Sequence, residues 1–561
     1  MKHQAEPYSK KTYEPILSGS KEWPVVQLSK NRKAFIEEVI EETIKVIKAK
    51  KPDYESLKEE IERTRFREKI RVEQNPWNVD PDDDYKFWSK VKKSLVHLSS
   101  EANEKNEKII NDLLREIVTR YVNEIASNFK PTRHRMARAI IKFGFRRLLN
   151  ASQDGFTALW KGDLTLQDKI EIKGEDEHLR KLAQIGTVVM VPTHFSNLDS
   201  ILLGWIIHIM GLPPFIYGAG LNLFNINILA YFMNSLGAYK VDRRKKSLIY
   251  IESLKSYSKL AIVKGCHSLF FPGGTRSRSG NIEKHLKLGL LGSATEAQRY
   301  ILQNNIKDKK IFVVPVVLNY NFVLEAPELI SGYLQRKGME RYYVESDKFS
   351  TSYNIMKFLF KFFTKGSNIS VSIGRGLDLF GNQVDNEGNS IDKNGNIIDI
   401  SDYFESNGNI TEDVQREKEY TRMLGDVIVK EFHRINIVFS SHLVAFAAFQ
   451  YFKKKYKKLD LYDLLRLPKE ERIIPYSEFK EIFDKLRDQV LVLSKEGKVG
   501  IANHLTGELE GVINLGLDNV GMYHAKRPLL LNKNGDIVSD NLSTLYYYHN
   551  RLVGYELENY V

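Results

Sequence analysis

Apolar positions along the chain change period twice. Residues 31–51 place Phe35, Ile36, Val39, Ile40, Ile44, Val46 and Ile47 among charges at helical spacing. Residues 104–129 repeat the pattern with Ile109, Ile110, Leu113, Leu114, Ile117, Val118, Tyr121 and Val122. The Pro and Asx content of residues 75–82 predicts a loop between them. Pro131 is expected to end the second helix. A basic amphipathic stretch follows over 133–147, with Met136, Ala139, Ile140 and Phe143 on one side. From about Ile185, short β-branched runs alternate with helical ones. Thr187 to Pro192, Ser268 to Phe271, Ile311 to Val317 and Ile369 to Ile373 read as buried strands. Apolar runs of this length separated by helices predict an α/β fold, a central mixed or parallel sheet with both faces covered. Residues 385–399 are polar and Gly/Asn-rich. They lack the Gly and Glu that a calcium loop needs at its sixth and twelfth positions (Ile397 and Tyr403), so Glu387-Gly388 and Asn394-Gly395 are read as hairpin turns. Helix returns after Gln415 and again over 475–493, and a hairpin is expected around Asn534-Gly535. No fixed-period repeat is present.

Length and composition narrow the class. At 561 residues, 42% apolar and 28% charged, the chain is globular and long enough for two to four domains. The pattern divides it into a helical region of unknown role (1–100), a helical region before the core (101–180), an α/β core (181–430) and a mostly helical C-terminal region (431–561). A single cysteine, Cys266, excludes an intrachain disulfide framework and points to a reducing compartment. A net charge of +13 favours anionic partners. The polar N-terminus does not read as a secretory signal. Residues 200–239 carry no Lys, Arg, Asp or Glu, but Pro213, Pro214 and several Gly and Asn interrupt them. That stretch predicts a buried helix, a turn and a second buried or half-embedded segment, not a membrane span. No nucleic-acid-binding module is recognisable.

The candidate chemistry begins where the first strand ends, at Pro192-Thr193-His194-Phe195-Ser196-Asn197-Leu198-Asp199. Open α/β sheets place ligands at such strand ends. A carboxylate on one imidazole nitrogen fixes the tautomer and leaves the other nitrogen to accept a proton. His194 and Asp199 would thus form a general-base dyad without a protein nucleophile, suited to a substrate that brings its own hydroxyl. Three further blocks follow. One is Gly237-Ala238-Tyr239-Lys240-Val241-Asp242-Arg243. The next, Phe271-Pro272-Gly273-Gly274-Thr275-Arg276-Ser277-Arg278-Ser279-Gly280, has glycines, hydroxyls and two arginines able to hold a phosphate. The last is Val314-Pro315-Val316.

These four ordered blocks resemble the glycerolipid acyltransferase superfamily. Pro315 to Tyr320 continuing to Val323-Leu324-Glu325, the helical lead-in ending at Phe129-Lys130-Pro131, and Thr544 to Arg551 are similar to its glycerol-3-phosphate acyltransferase-like branch. The resemblance spans about 110–555 and is specific in the core and loose outside it. It implies that His194 deprotonates the acceptor hydroxyl, oriented by Asp199. The acceptor oxygen then attacks the thioester of an acyl-CoA or acyl carrier protein, with backbone of the Gly-rich loop near the oxyanion and Gly274, Thr275 and Ser277 among the substrate-binding residues. Arg243, Arg276 and Arg278 would hold the acceptor phosphate, with Lys287 a weaker candidate. No metal or organic cofactor is implied.

One position departs from the family pattern. The third residue of the F-P-E-G-T-R type block is Gly273, where the family usually carries Glu. This leaves the acceptor open among glycerol 3-phosphate, 1-acylglycerol 3-phosphate and another hydroxylated lipid precursor. It also keeps a non-catalytic lipid-binding role as an alternative of another class. Three basic and apolar segments, 133–147, 356–365 and 453–458, could meet an anionic bilayer, so peripheral attachment at the cytoplasmic face of a membrane is expected.

Overall fold

The structure, a computed structural model, describes residues 13–98, 103–150, 170–221, 233, 237–306, 309–338 and 369–561. A seven-stranded sheet forms its centre. The strands are β1 (Ile170–Gly174), β2 (Thr187–Pro192), β3 (Ile216–Gly220), β4 (Ala238–Val241), β5 (Ser268–Leu269), β6 (Ile311–Tyr320) and β7 (Ile369–Ile373). Their order is β1-β7-β6-β2-β5-β3-β4. Neighbours run parallel except β6 and β7, which are antiparallel. Every residue of β2 and β6 is buried, which accounts for their unbroken apolar runs: helices cover both faces.

Three strands escape the hydrophobic pattern. β1 alternates charged and apolar residues. β3 is Ile216-Tyr217-Gly218-Ala219-Gly220, and its two glycines dilute the strand signal. β4 closes the far edge and delivers the Asp242-Arg243 turn. In 200–239 the expected buried helix, turn and second buried segment are present, and that second segment is a strand. A helix, Asp199–Ile209, is followed by strand β3, with β4 at the far end. The lead-in helix also stops earlier than its apolar pattern. It spans Glu104–Ile125, and Pro131 opens the next helix, Pro131–Asn150, where its missing N–H costs nothing. The hairpins expected at Gly388, Gly395 and Gly535 are present as short antiparallel pairs. The Asp385 and Asp392 carboxylates accept backbone N–H groups of their own turns at 2.7–3.0 Å.

Two large apolar cores form among the described residues. One runs from the sheet into the C-terminal helices Ser440–Lys455, Tyr476–Lys495 and Leu542–His549. The other is formed by the N-terminal helices Arg32–Lys50, Tyr54–Gln74, Asp84–Val96 and Glu104–Ile125 against Ile216, Tyr239 and helix Leu248–Val263. Among the described residues, no helix is long and apolar enough to cross a membrane.

A buried charge cluster locks the N-terminal bundle. Arg71, 5% exposed, pairs with Glu68 at 2.7 Å, Asp80 at 2.9 Å and with Asp84. Arg120 also reaches Asp84, and Arg244 reaches Asp80 from the sheet side. Removing one partner from such a cluster leaves charge without compensation in a poorly solvated place. Arg71→Ala is expected to destabilise the bundle by roughly 3–5 kcal/mol. Urea unfolding followed by tryptophan fluorescence checks this, since Trp77 and Trp88 lie in the same region.

Candidate active site

β2 ends at Pro192, and the chain turns so that His194 stands above the sheet. The Asp199 carboxylate organises this turn. It sits at the first residue of helix Asp199–Ile209, where a negative charge is favoured. Its Oδ2 accepts the backbone N–H groups of Phe195 at 2.7 Å and Ser196 at 3.0 Å, and the His194 ring at Nδ1, 2.7 Å away. The Tyr320 hydroxyl, at the end of β6, donates to Oδ1. Asp199 is fully buried. An acceptor-only carboxylate places the imidazole proton on Nδ1 and leaves the Nε2 lone pair available. The ring stacks on Phe271, with centroids 4.0 Å apart and planes at 21°.

Phe271 opens the Gly-rich loop, 271–280, which is tied to the dyad through backbone. Ser277 donates its N–H to the His194 carbonyl at 2.7 Å. Its hydroxyl donates to Asn281 O at 2.7 Å, so Ser277 closes the loop. Gly274 has φ +77°, and Lys287 lays its stem over it. Thr275 is exposed at the tip, and Lys287 is exposed as well. Gly280 has φ +84°, and a side chain there would collide with the Tyr547 carbonyl of the C-terminal helix Leu542–His549. Only glycine meets both demands.

Arg276 lies 3.5 Å from Glu325, a buried carboxylate that also accepts Asn197 N–H at 2.9 Å. Burial pushes the Glu325 pKa up, and the Arg276 charge opposes this. Arg243 comes from the turn after β4. It reaches the surface, yet the protein around it costs it hydration, and the charges of Arg278 and Arg276 add to this; together they hold its pKa below the usual arginine range. The charges of two arginines in the Gly-rich loop therefore bear on an arginine of the loop after β4. The adjacent cations face elsewhere. Arg244 pairs with Asp242 and Asp80 and stacks on Trp77 at 3.8 Å, and Lys245 pairs with Glu124.

Four residues at this site have no role assigned by sequence reasoning: Tyr320, Glu325, Glu283 and Arg551. Tyr320, Glu325 and Arg551 fall in stretches that carry the family resemblance, which was the one signal pointing to them. Arg551 is buried, donates to Leu318 O at 2.9 Å and Asn319 Oδ1 at 2.8 Å, and stacks on Phe195 at 3.9 Å. Burial pushes its pKa down to about 10. Glu283 Oε1 accepts the His194 N–H at 3.2 Å. Burial pushes its carboxyl up to about 7, against the pull of those N–H donors and Arg551. Cys266, the lone thiol, is buried in the N-terminal core, where burial raises its pKa to about 12, so it is not a nucleophile here.

Residues 170–319 match the family model described as Acyltransferase, a span that holds His194, Asp199, Arg243 and the Gly-rich loop. Curated relatives include the glycerol-3-phosphate acyltransferase of Pseudoalteromonas atlantica, 28% identical over 249 residues, covering 44% of this chain and 26% of that protein. Those of Shewanella putrefaciens and Shewanella baltica are each 27% identical over 267 residues, covering 47% of this chain and 30% of theirs. The chain therefore carries an acyltransferase domain with distant homology to glycerol-3-phosphate acyltransferases, and the matched stretch covers less than a third of each relative.

Tyr320→Phe would leave Asp199 Oδ1 buried without its donor while sparing the Oδ2 contact to His194. A stability loss of about 1–3 kcal/mol is expected, measured by the urea midpoint against wild type.

Proposed function

We propose that this acyltransferase domain transfers a fatty acyl group from an acyl-CoA or acyl carrier protein thioester to a hydroxyl of glycerol 3-phosphate. The observation that supports the reading is an imidazole oriented by Asp199, on a residue bonded through its backbone carbonyl to Ser277, which lies between Arg276 and Arg278 in the Gly-rich loop. His194 Nε2 takes the proton of the acceptor hydroxyl as its oxygen bonds to the thioester carbonyl carbon. The Nδ1 contact to Asp199 stabilises the imidazolium so formed. When the tetrahedral adduct collapses, the C–S bond breaks, and the proton on Nε2 leaves with the thiolate. Arg243, Arg276 and Arg278 hold the acceptor's phosphate. Their planar donors suit a phosphate's oxygens, and their clustering is repaid when a dianion arrives between them.

A thioester-release assay run with glycerol 3-phosphate and with 1-acylglycerol 3-phosphate tests the acceptor. Higher kcat/KM with glycerol 3-phosphate supports the proposal. Higher kcat/KM with the monoacyl acceptor reassigns the step, and inactivity with both removes the reading. His194→Ala should lower kcat by about 10²–10⁴-fold with an unchanged far-UV circular dichroism spectrum. Arg278→Ala should raise KM for the acceptor roughly tenfold to a hundredfold, with a smaller effect on kcat.

We also propose peripheral attachment to an anionic bilayer. On helix Pro131–Asn150, Met136, Ile140 and Phe143 are 55%, 45% and 61% exposed, beside exposed Arg133 and Arg135. An apolar stripe flanked by cations suits a lipid headgroup boundary. Lys453, Lys454 and Lys455 are solvated at a helix end, and segment 356–365 lies outside the described residues. Co-flotation with anionic liposomes at low salt, reduced by Phe143→Ser, is the expected result. No co-flotation of the wild type would remove this part.

A further inference from the structure

The Gly-rich loop lacks a carboxylate at 273, but the site does not. Glu283 approaches from the segment behind the loop. A Cβ placed on Gly273 would lie 2.9 Å from both Cγ and Oε1 of Glu283, closer than real side chains pack. Gly273 does not have the left-handed backbone that reserves a position for glycine, whereas its neighbour Gly274, with φ +77°, does. The absent side chain at 273 is therefore explained by what occupies the space and not by backbone strain.

One contact of that carboxylate and two backbone bonds around it define its setting. Its Oε1 accepts the His194 N–H at 3.2 Å. The carbonyl of the same residue accepts the Ser277 N–H at 2.7 Å. Both polar groups of the His194 backbone are thus held by the segment 277–283. Lys287 N–H donates to Pro272 O at 2.6 Å, which draws together the residues flanking that segment, and position 283 lies opposite 273. Glu283 Oε2 is buried without a protein hydrogen-bond partner. Burying a carboxylate this incompletely paired is unfavourable. Its placement against His194, within the field of Arg551, marks it as a part of the site.

We propose that Glu283 is the positioning carboxylate of the site, acting from position 283 where a side chain at 273 would otherwise act. It locks the loop of His194 to the loop of Arg276 and Arg278, so base and phosphate subsite keep one relative placement. This rests on the acyl-transfer reading for its catalytic consequence, but the lock itself is a structural claim that can be read without turnover.

The test relocates the carboxylate. Glu283→Ala, Glu283→Gln, Gly273→Glu and the double variant Gly273→Glu/Glu283→Gly are compared with wild type and His194→Ala. Hydrogen–deuterium exchange of peptides covering 192–199 and 271–280 is measured beside thioester release. Glu283→Ala should speed exchange in both peptides and lower kcat/KM roughly tenfold to a hundredfold. Glu283→Gln, which keeps an acceptor oxygen, should recover most of the loss. Gly273→Glu alone should lose activity by crowding. The double variant should be more active than either single one, with slower exchange than Glu283→Ala. Wild-type exchange and kcat/KM in Glu283→Ala would overturn the proposal, as would a folded double variant no better than Glu283→Ala. Should the double variant fail to fold, equal losses in Glu283→Ala and Glu283→Gln would overturn it. If wild type and His194→Ala turn over alike, the acyl-transfer reading falls, and the exchange rates still decide whether Glu283 holds the two loops.

Discussion

The Asp199 carboxylate is the point from which the site is built. It is buried, and a buried carboxylate must be satisfied or give up its charge. Two backbone N–H groups, one imidazole and one phenol supply that satisfaction. Each donor is thereby fixed: the 194–199 turn cannot open, the ring cannot flip, and the end of β6 is held to the end of β2. The orientation of His194 is a consequence of this electrostatic requirement.

The same economy governs the cations. Arg243, Arg244 and Lys245 are consecutive, yet the charges of Arg276 and Arg278 bear on the first while the other two pair with acids. Arg244 and Lys245 fasten the turn to Asp80 and Glu124 of the N-terminal bundle. That bundle is thus more than an appendage, since its acids determine how the chain after β4 leaves the sheet. Arg67 adds a hydrogen bond to the Lys246 carbonyl at 2.7 Å, and Leu248 N–H donates to Glu60 at 3.2 Å. Arg243 is thereby flanked by neighbours that anchor its turn.

The C-terminal helices close the site from the other side. Arg551 brings a buried positive charge toward a region that already holds Asp199, Glu283 and Glu325. Asn550 donates to Ser279 O at 2.9 Å, and the Tyr547 carbonyl presses on Gly280. Three carboxylates without such a cation would repel one another in a poorly solvated interior. Helix Leu542–His549 and the turn after it therefore contribute both charge balance and the shape of the Gly-rich loop, although they lie more than 260 residues along the chain from Gly280.

Local pattern was enough to show an α/β core between helical regions, the strands β2, β6 and β7, and the His194 to Asp199 spacing. These signals lie within a few residues of each other, and a fully buried strand must be continuously apolar. β3 and β4 left little trace because Gly218 and Gly220 blunt strand character and because edge pairing depends on partners distant in sequence. Glu283 and Arg551 could not be given roles from their surroundings in the chain. A charged residue in a loop or near a terminus looks the same whether it faces water or a dyad. The sequence alone determined which chemical groups were present and which short segments would carry them. Only the tertiary structure decided which cations of a run pair with acids of the N-terminal bundle and which carboxylate faces Gly273. The reason is physical: the energy of a charge depends on burial and on partners contributed by distant elements, and neither exists until the chain has folded.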